Sequence, residues 1–350
     1  MRRADIVIIG GGIAGVSLAA RIGKRARVIL LERENMLAAH TTGRSAAVFT
    51  ETYGNAIVRE LTRASRAFFD KPPEGFTDHP LLNPRASLMI ARPEDAAILE
   101  KLVGENPTMM DWVDPDEAQR SVPVLRRDYF ATAAIEPGSA DIDVHALFDG
   151  FRRMALHEGV EIVTNAEVTA LEHDGKDWIV IARDDKFAAP VVANAAGAWA
   201  GVIGEMAGLG NRGLQPLRRT AIMIDAPDGV DVSNWIFVND AAENFYFKPD
   251  AGQILASLAD ETPSEPCDAQ PEEIDVATIA WRIEEATTLN VKRIRSCWAG
   301  LRTFTPTRTP VFEFDKAASG FFWLAGQGGY GIQTSPAISG RAASAILVAL

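Results

Sequence analysis

The stretch DIVIIGGGIAGVSLAARIGKRARVILLERE, residues 5 to 34, constrains the chain more than any other. Ile6 to Ile9 make a continuous apolar run of the buried parallel-strand type, which leads straight into Gly10, Gly12 and Gly15 in GxGxxG spacing. An Ala-rich helical run follows. Each glycine answers a separate steric demand: Gly10 the tight turn, Gly12 the approach of backbone to a pyrophosphate, Gly15 the close packing of helix on strand. Amides at the helix start then face the phosphates. A second strand, Arg27 to Leu31, ends at Glu32, twenty residues beyond Gly12. A carboxylate there accepts hydrogen bonds from both ribose hydroxyls and repels a 2′-phosphate, which disfavours NADP. Strand, fingerprint, helix, strand and acid in register predict a βαβ unit that holds a dinucleotide. FAD and NAD both satisfy this motif.

Composition bounds the remainder. At 350 residues, 47% hydrophobic and 23% charged, the chain is globular and long enough for two domains. A net charge of −12 argues against nucleic acid or an anionic membrane as the main partner. Cys267 and Cys297 offer neither a disulfide framework nor metal-ligand spacing, so no metal site is expected and a reducing, cytoplasmic setting is. The opening MRRADIVIIGGGIAGVSLAA imitates a signal peptide. Cleavage there would destroy the nucleotide site, so the expectation is that it stays. No later run is apolar for long enough to make an integral membrane segment. Internal repeats and low-complexity segments are absent from the sequence.

Further along, residues 55–70 read as a helix, and the Pro-rich KPPEGFTDHPLLNP after it as a domain crossing. Residues 87–91 read as a strand. The segment 138–173 predicts a helix capped by Asp141 or Asp143, a turn at Gly159, a strand from Glu161 to Thr164 and another through Val168. APVVANAAGAWA is a buried strand ending in small residues that permit close approach to a ligand. Residues 214–310 read as β-strands with one helix near 276–287. The chain closes with strand GFFWLAG, loop QGGYGIQTSP and a helix to Leu350.

The fingerprint with Glu32, TTGRSAA, VVANAAGAWA, WAGLRTFTPT and WLAGQGGYGIQTSP, in that order, resemble the D-amino acid oxidase-like (DAO) superfamily of FAD-dependent oxidoreductases. Within it the chain is most similar to the D-arginine dehydrogenase branch, nearly end to end, although such proteins usually continue for a short tail beyond the last helix. The resemblance implies an α/β fold: a Rossmann-type FAD-binding domain from residues 1–76, 140–212 and 303–350, and a second, β-rich substrate domain with a mixed sheet from residues 77–139 and 213–302. FAD is the implied cofactor, extended from the βαβ unit to the domain border. The implied contacts are Gly10, Gly12, Ile13, Ala14, Gly15, Glu32 and Arg33 of the fingerprint, and Thr42, Gly43, Arg44, Ser45 and Ala46 along the diphosphate and ring. Val168 meets the adenine end, and Ala196, Gly197 and Trp199 pass the pyrophosphate. Gly328, Gly329, Tyr330, Gly331, Ile332 and Gln333, with Arg302, surround the flavin, where a loop of amides opening a helix suits negative charge.

The implied reaction oxidises an amino acid at its α carbon, with a small-molecule amino acid as substrate and O2 or a quinone-type molecule as electron acceptor. Guanidinium is the natural partner for the substrate carboxylate because its planar fork pairs bidentately. Arg302 and Arg219 resemble the family's carboxylate clamp, with Tyr246, Tyr53, Gly329 and Gln333 beside them. Tyr246 alternates with Phe245 and Phe247, so it should point to the opposite sheet face from both. A single Arg on a half-buried strand is more often a structural ion pair, and a buried tyrosine more often a core residue. No general base stands out, none of the five histidines lies in a catalytic motif, and His40 beside the flavin loop suits a capping role as well. Hydrolase and metalloenzyme motifs are missing.

The leading expectation is a D-amino acid dehydrogenase or oxidase; the alternatives are a glycine, sarcosine or other N-alkyl amino acid oxidoreductase and, of another class, an auxiliary flavin-binding subunit. The flavin should be held without a covalent bond, since Gly300 stands where sarcosine-oxidase relatives carry the attaching cysteine. The D-arginine branch places a glutamate where Ser87 stands and a histidine where Val48 stands. Their loss predicts a preference for neutral side chains, unless Glu51 or Glu243 replaces the missing acid.

Overall fold

A computed structural model describes residues 1–350. Ile6–Ile9 lies inside a six-stranded sheet in the order Glu161–Val163, Val28–Leu31, Ile6–Ile9, Val191–Asn194, Phe321–Ala325, Val311–Phe314. Five of these strands run parallel, and Val311–Phe314 closes one edge antiparallel. Both faces are covered, which is why the central strands read as unbroken apolar runs. Helices Ile13–Ile22, Val144–His157 and Gly331–Ala349 bury Val16, Leu147, Phe151 and Ile338 on one face. The opposite face meets helix Ala200–Met206 and a four-stranded sheet of Arg2–Arg3, Asp185–Ala189, Trp178–Ala182 and Val168–His173.

The second large sheet is nine-stranded and mixed. Its strands are Ser87–Ala91, Asp111–Val113, Thr132–Glu136, Gln215–Ile224, Phe237–Asp240, Tyr246–Asp250, Gln253–Ser257, Thr262–Pro263 and Ile294–Phe304. Phe237–Asp240 runs parallel to Ser87–Ala91, and its other neighbour is antiparallel. One face is dry: Leu88, Ile90, Ile222, Phe245 and Phe247 pack against Ile279 and Ile283 of helix Glu273–Ala286. Alternation then sends Tyr246 the other way, where it packs with Met223, Phe237 and Leu255. That face borders the cavity described below.

The helix at residues 56–70 starts where the sequence places it because Asn55 caps it, its side-chain oxygen accepting from Val58 N–H at 3.0 Å. Of the two candidate caps for Val144–His157, Asp143 serves, accepting from Ala146 N–H at 2.8 Å. Asp141 is instead an ion-pair partner, accepting from Arg85 Nε at 2.5 Å and Lys248 Nζ at 2.6 Å. The strand expected to reach Thr164 stops at Val163. The last helix begins at Gly331, inside the segment read as a loop, and runs through Pro336. Proline removes the N–H that would serve the Ile332 carbonyl, but Ser335 Oγ donates to that oxygen at 2.9 Å, so the helix continues. No helix is long and apolar enough to cross a membrane.

Candidate functional site

A groove of about 160 Å3 follows the glycine fingerprint. Gly10, Gly12, Glu32, Arg33, Thr42, Val168, Ala196, Gly197 and Trp199 line it, together with His40. Glycine is required twice. At Gly10, φ is +110° and a Cβ would sit 2.4 Å from Ala195 O; at Gly15 a Cβ would sit 1.9 Å from Gly10 O. Helix Ile13–Ile22 opens at Gly12 with no side-chain cap. Its first internal bond is Val16 N–H to Gly12 O, and Ile13 N–H donates to Thr42 Oγ1 at 3.0 Å, which leaves the Ala14 and Gly15 amides for an anion. Glu32 is buried, its two oxygens accepting from Gly11 N–H at 2.7 Å and Glu34 N–H at 2.8 Å. A carboxylate has about four acceptor positions, so lone pairs remain for ribose hydroxyls. Arg33 lies over the Trp199 ring at 4.6 Å, and Trp199 meets His40 at 4.8 Å. Uncapped helix start, side-chain-free turn and acid together fit an extended dinucleotide such as FAD.

A second cavity of about 680 Å3 is built by strand register. Arg219 pairs with Gly300 and Leu217 with Arg302; Ala221 pairs with Ser257, Ser257 with Tyr246, and Tyr246 with Asn239. Two residues before Asn239, Phe237 pairs with Ser87, and Ser87 with Glu136. Cross-strand partners share a face, as do alternate residues of one strand. Arg302, Arg219, Tyr246, Asn239, Ser87 and Glu136 therefore project from one face, and all six line the cavity. Gly300 has no side chain opposite Arg219, which leaves room between the two arginines. Tyr53 joins from the loop, its ring edge-on to Tyr330 at 4.9 Å. Space beside them is kept by Gly329, where a methyl group would come within 3.6 Å of Arg302 Cδ and Nε and 3.9 Å of Tyr53 Oη. The strand carrying Arg302 is anchored by Thr41 Oγ1, which donates to Leu301 O at 2.6 Å, and by Arg44 Nη1, which donates to Ala299 O at 2.9 Å.

The two arginines differ in what they already hold. Arg219, 6% exposed, donates from Nε to Asp260 O at 3.1 Å and reaches Glu261 at 3.4 Å. Burial pulls its pKa down, but the Tyr53 and Tyr246 hydroxyls and Glu243 outweigh it and hold the guanidinium above its ordinary value. Arg302 makes no hydrogen bond to the protein; burial, then the Arg219 charge, push its pKa below the ordinary arginine value. Since arginine stays protonated regardless, the consequence is an unsatisfied positive fork awaiting an anion. Glu261 is taken up by Arg308, which donates to both of its oxygens at 2.9 and 2.5 Å and keeps its carboxyl below the usual range. Burial, then Tyr53, push the Tyr330 hydroxyl up.

Of the other candidates, Ser45, Ala46, Tyr330, Ile332 and Gln333 also line the second cavity. The Gln333 amide is spent, however: Oε1 accepts from Thr50 N–H at 3.2 Å, and Nε2 donates to Thr50 O at 3.3 Å and Thr62 Oγ1 at 2.9 Å. It ties the segment at Thr50 to the helix at residues 56–70. Ile13, Ala14, Gly15, Gly43, Arg44, Gly328 and Gly331 line neither cavity. The Arg44 guanidinium is held by Ala299 O, Ala269 O and Asp268 and braces the Arg302 strand from behind. Gly328 is needed for its φ of +54°, with a Cβ falling 2.2 Å from the Phe304 ring.

Ser87 and Val48 do line the cavity, yet the expectation that an acid is missing there was incomplete. Glu136 stands directly across from Ser87. Glu51 does not fill that role, its side chain reaching Arg66 at 3.4 Å. Glu136 carries no local signal in the sequence, because its partner across the sheet lies forty-nine positions away in the chain. Asn239, Glu261 and Arg308 were missed for the same reason.

Known proteins share this fold. A family model described as FAD dependent oxidoreductase (DAO) matches residues 5–345. FAD-dependent oxidoreductase domain-containing protein 1 of Bos taurus is 25% identical over 400 residues, covering 99% of this chain and 81% of that protein. Mitochondrial dimethylglycine dehydrogenase of Homo sapiens is 29% identical over 217 residues, which is 59% of this chain and 25% of that protein. Among solved structures, glycine oxidase from Geobacillus kaustophilus superposes with a TM-score of 0.87 at 22% identity, covering 99% of this chain and 95% of that one.

Proposed function

The chain belongs to the FAD-dependent oxidoreductase family, and from that premise we propose that it oxidises a small carboxylate-bearing amine, namely glycine, sarcosine or another N-alkyl amino acid, beside the nitrogen. The observation that carries this reading is Arg302: a guanidinium with no protein hydrogen bond, next to Arg219, in a cavity that also presents Tyr53 and Tyr246. Bound FAD supplies a two-electron acceptor there. Arg302 receives the carboxylate bidentately, Arg219 adds charge from behind, and the two tyrosine hydroxyls donate to the same oxygens. Fixing the carboxylate fixes the C–H to be cleaved. Gly329 leaves the space in which the amine lies, and no side chain is asked to remove a proton in the chemical step. The amine loses a hydride and the resulting imine is hydrolysed by water, with the electrons passing on to O2 or a quinone-type acceptor.

The similarity to glycine oxidase and dimethylglycine dehydrogenase supports the N-substituted glycine class over a D-amino acid. A D-amino acid is the second reading, favoured by the extent of the wall beyond the clamp, where Val48, Met89 and Phe237 accommodate a side chain. Arg302, a cavity cation without a protein partner, supports an enzyme over an auxiliary subunit. We assign the cofactor part to residues 1–76, 140–212 and 303–350 and the substrate part to 77–139 and 213–302, in keeping with which strands enter each large sheet. Product analysis tests the chemistry. Sarcosine oxidised at its methyl group gives formaldehyde, whereas oxidation of a D-amino acid gives the 2-oxo acid. Turnover of D-amino acids with none of sarcosine, glycine or dimethylglycine would promote the second reading.

A further inference from the structure

The cavity is lined by five acids, and four of them are accounted for. Glu105 pairs with Arg59 at 3.1 Å, and Glu261 with Arg308. Glu243 is exposed. Asp240 accepts from Asn244 N–H and Nδ2 at 3.1 and 2.7 Å through Oδ2, its Oδ1 is buried without a partner, and alternation along its strand aims it away from the face that carries Asn239. Glu136 is the fifth, 3% exposed and without any Lys, Arg or His partner. Its oxygens accept from Glu51 N–H at 2.7 Å and Thr52 Oγ1 at 2.5 Å. Burial raises its pKa, and those two donors only partly offset the rise. A buried carboxyl on a cavity wall without a counter-charge is costly to an empty protein and is relieved by a cation.

The surroundings are those of a binding subsite. Ser87 Oγ accepts from Asn239 Nδ2 at 2.9 Å, which orients the Asn239 amide so that its oxygen is left as a second acceptor. Glu136, Ser87 and Asn239 thus form a polar, acceptor-rich patch on the same sheet face as Arg302 and Arg219, several strands away. The face is positive at one end and negative at the other.

We propose that Glu136, with Asn239 and Ser87, is the specificity-determining subsite for the far end of the substrate, and that it takes a cationic hydrogen-bond donor, an ammonium group carried on the side chain or on the N-substituent. The inference rests on the carboxylate-binding role given above to Arg302. It replaces the expected preference for neutral side chains. A molecule with a carboxylate at one end and an ammonium group at the other matches this polarity in one orientation only. An isostere ending in methyl leaves Glu136 desolvated and unpaired, which a site built around a hydrogen bond rejects strongly.

The test compares isosteres that differ only in a terminal CH3 against NH3+: D-norleucine with D-ornithine, and N-butylglycine with N-(3-aminopropyl)glycine. The FAD-loaded wild type should favour the ammonium member by at least about tenfold in kcat/KM, and Glu136→Gln should bring the ratio close to one. Hexanoate and 5-aminopentanoate, which lack the α-amine, provide a readout independent of turnover through calorimetric Kd values, with the same ratio and the same loss expected. Glu136 also pins the backbone at Glu51, so a purely structural role would lower both members together and leave the ratio intact. That outcome overturns the proposal, as does a wild type that prefers the methyl-terminated member. If no substrate of either kind reduces the flavin, the functional reading fails, and the Kd pair still decides the subsite.

Discussion

Replacing Arg302 with lysine separates geometry from charge. The guanidinium makes no hydrogen bond within the protein, so the substitution breaks no structural contact and stability should change by less than about 1 kcal/mol. Substrate binding is another matter. A bidentate pair supplies two charge-assisted hydrogen bonds of about 1.5–3 kcal/mol each, and an ammonium group supplies one. Losing one of them, with Arg219 still in place, costs about 2 kcal/mol, or roughly thirtyfold in kcat/KM. Burial and the Arg219 charge also act on the new lysine, which unlike arginine can lose its proton. The defect of Arg302→Lys should therefore deepen as pH rises, with no matching change in the wild type. The assay is kcat/KM across pH, with FAD content read from absorbance in the same samples. A variant within about threefold of wild type, or one that loses FAD in step with activity, would refute the assignment of Arg302 to the carboxylate.

Gly15→Ala should abolish FAD retention or folding, because its Cβ would lie 1.9 Å from the Gly10 carbonyl, whereas Gly329→Ala, with no neighbour nearer than 3.6 Å, should fold, hold FAD and lose turnover; expression and absorbance spectra distinguish the two. Asn55→Ala removes the cap of the 56–70 helix and should lower unfolding stability by about 1 kcal/mol in urea melts. Because burial raises the pKa of Glu136, the folded chain keeps that proton to higher pH than the unfolded chain. Its contribution is complete below the ordinary glutamate pKa and is lost as pH rises through the raised value. Glu136→Gln should therefore be more stable than wild type near neutral pH, with the gap closing on acidification; a gap that does not vary with pH would contradict this. FAD should leave with the supernatant on acid precipitation, since Cys297 is exposed and free and Gly300 carries no thiol, while Glu32→Ala should weaken FAD retention in dilution assays without altering substrate preference.

Local chemistry made the cofactor half readable. Gly10, Gly12, Gly15 and Glu32 act within one βαβ unit, where steric demands translate directly into residue types at fixed spacing. Alternation was equally legible in the second sheet: Phe245, Tyr246 and Phe247 separated as their period requires. The polar end of the cavity was not legible, because Ser87, Glu136 and Asn239 meet only through the pairing of three strands distant in the chain. Nothing in the local pattern of TAAIE says which strand will lie beside it. Arg44 illustrates the converse. Its place in TGRSA implied a cofactor contact, while what its guanidinium reaches are carbonyls distant in the chain, Ala299 O of the Ile294–Phe304 strand and Ala269 O of the loop before helix Glu273–Ala286. The last helix starts earlier than the sequence suggests, at Gly331, and continues through Pro336 because the Ser335 hydroxyl serves the carbonyl that the proline leaves without a donor.

The most direct test of the central claim is anaerobic titration of the purified yellow protein with carboxylate-bearing amines and with the same amines lacking the carboxylate. Sarcosine should be compared with dimethylamine, and each N-substituted glycine or D-amino acid with its decarboxylated counterpart. The account predicts that flavin absorbance bleaches with the carboxylate-bearing members and not with their counterparts, and that Arg302→Lys erodes this distinction. Equal bleaching by both members of a pair, or none by any carboxylate-bearing amine, would contradict it.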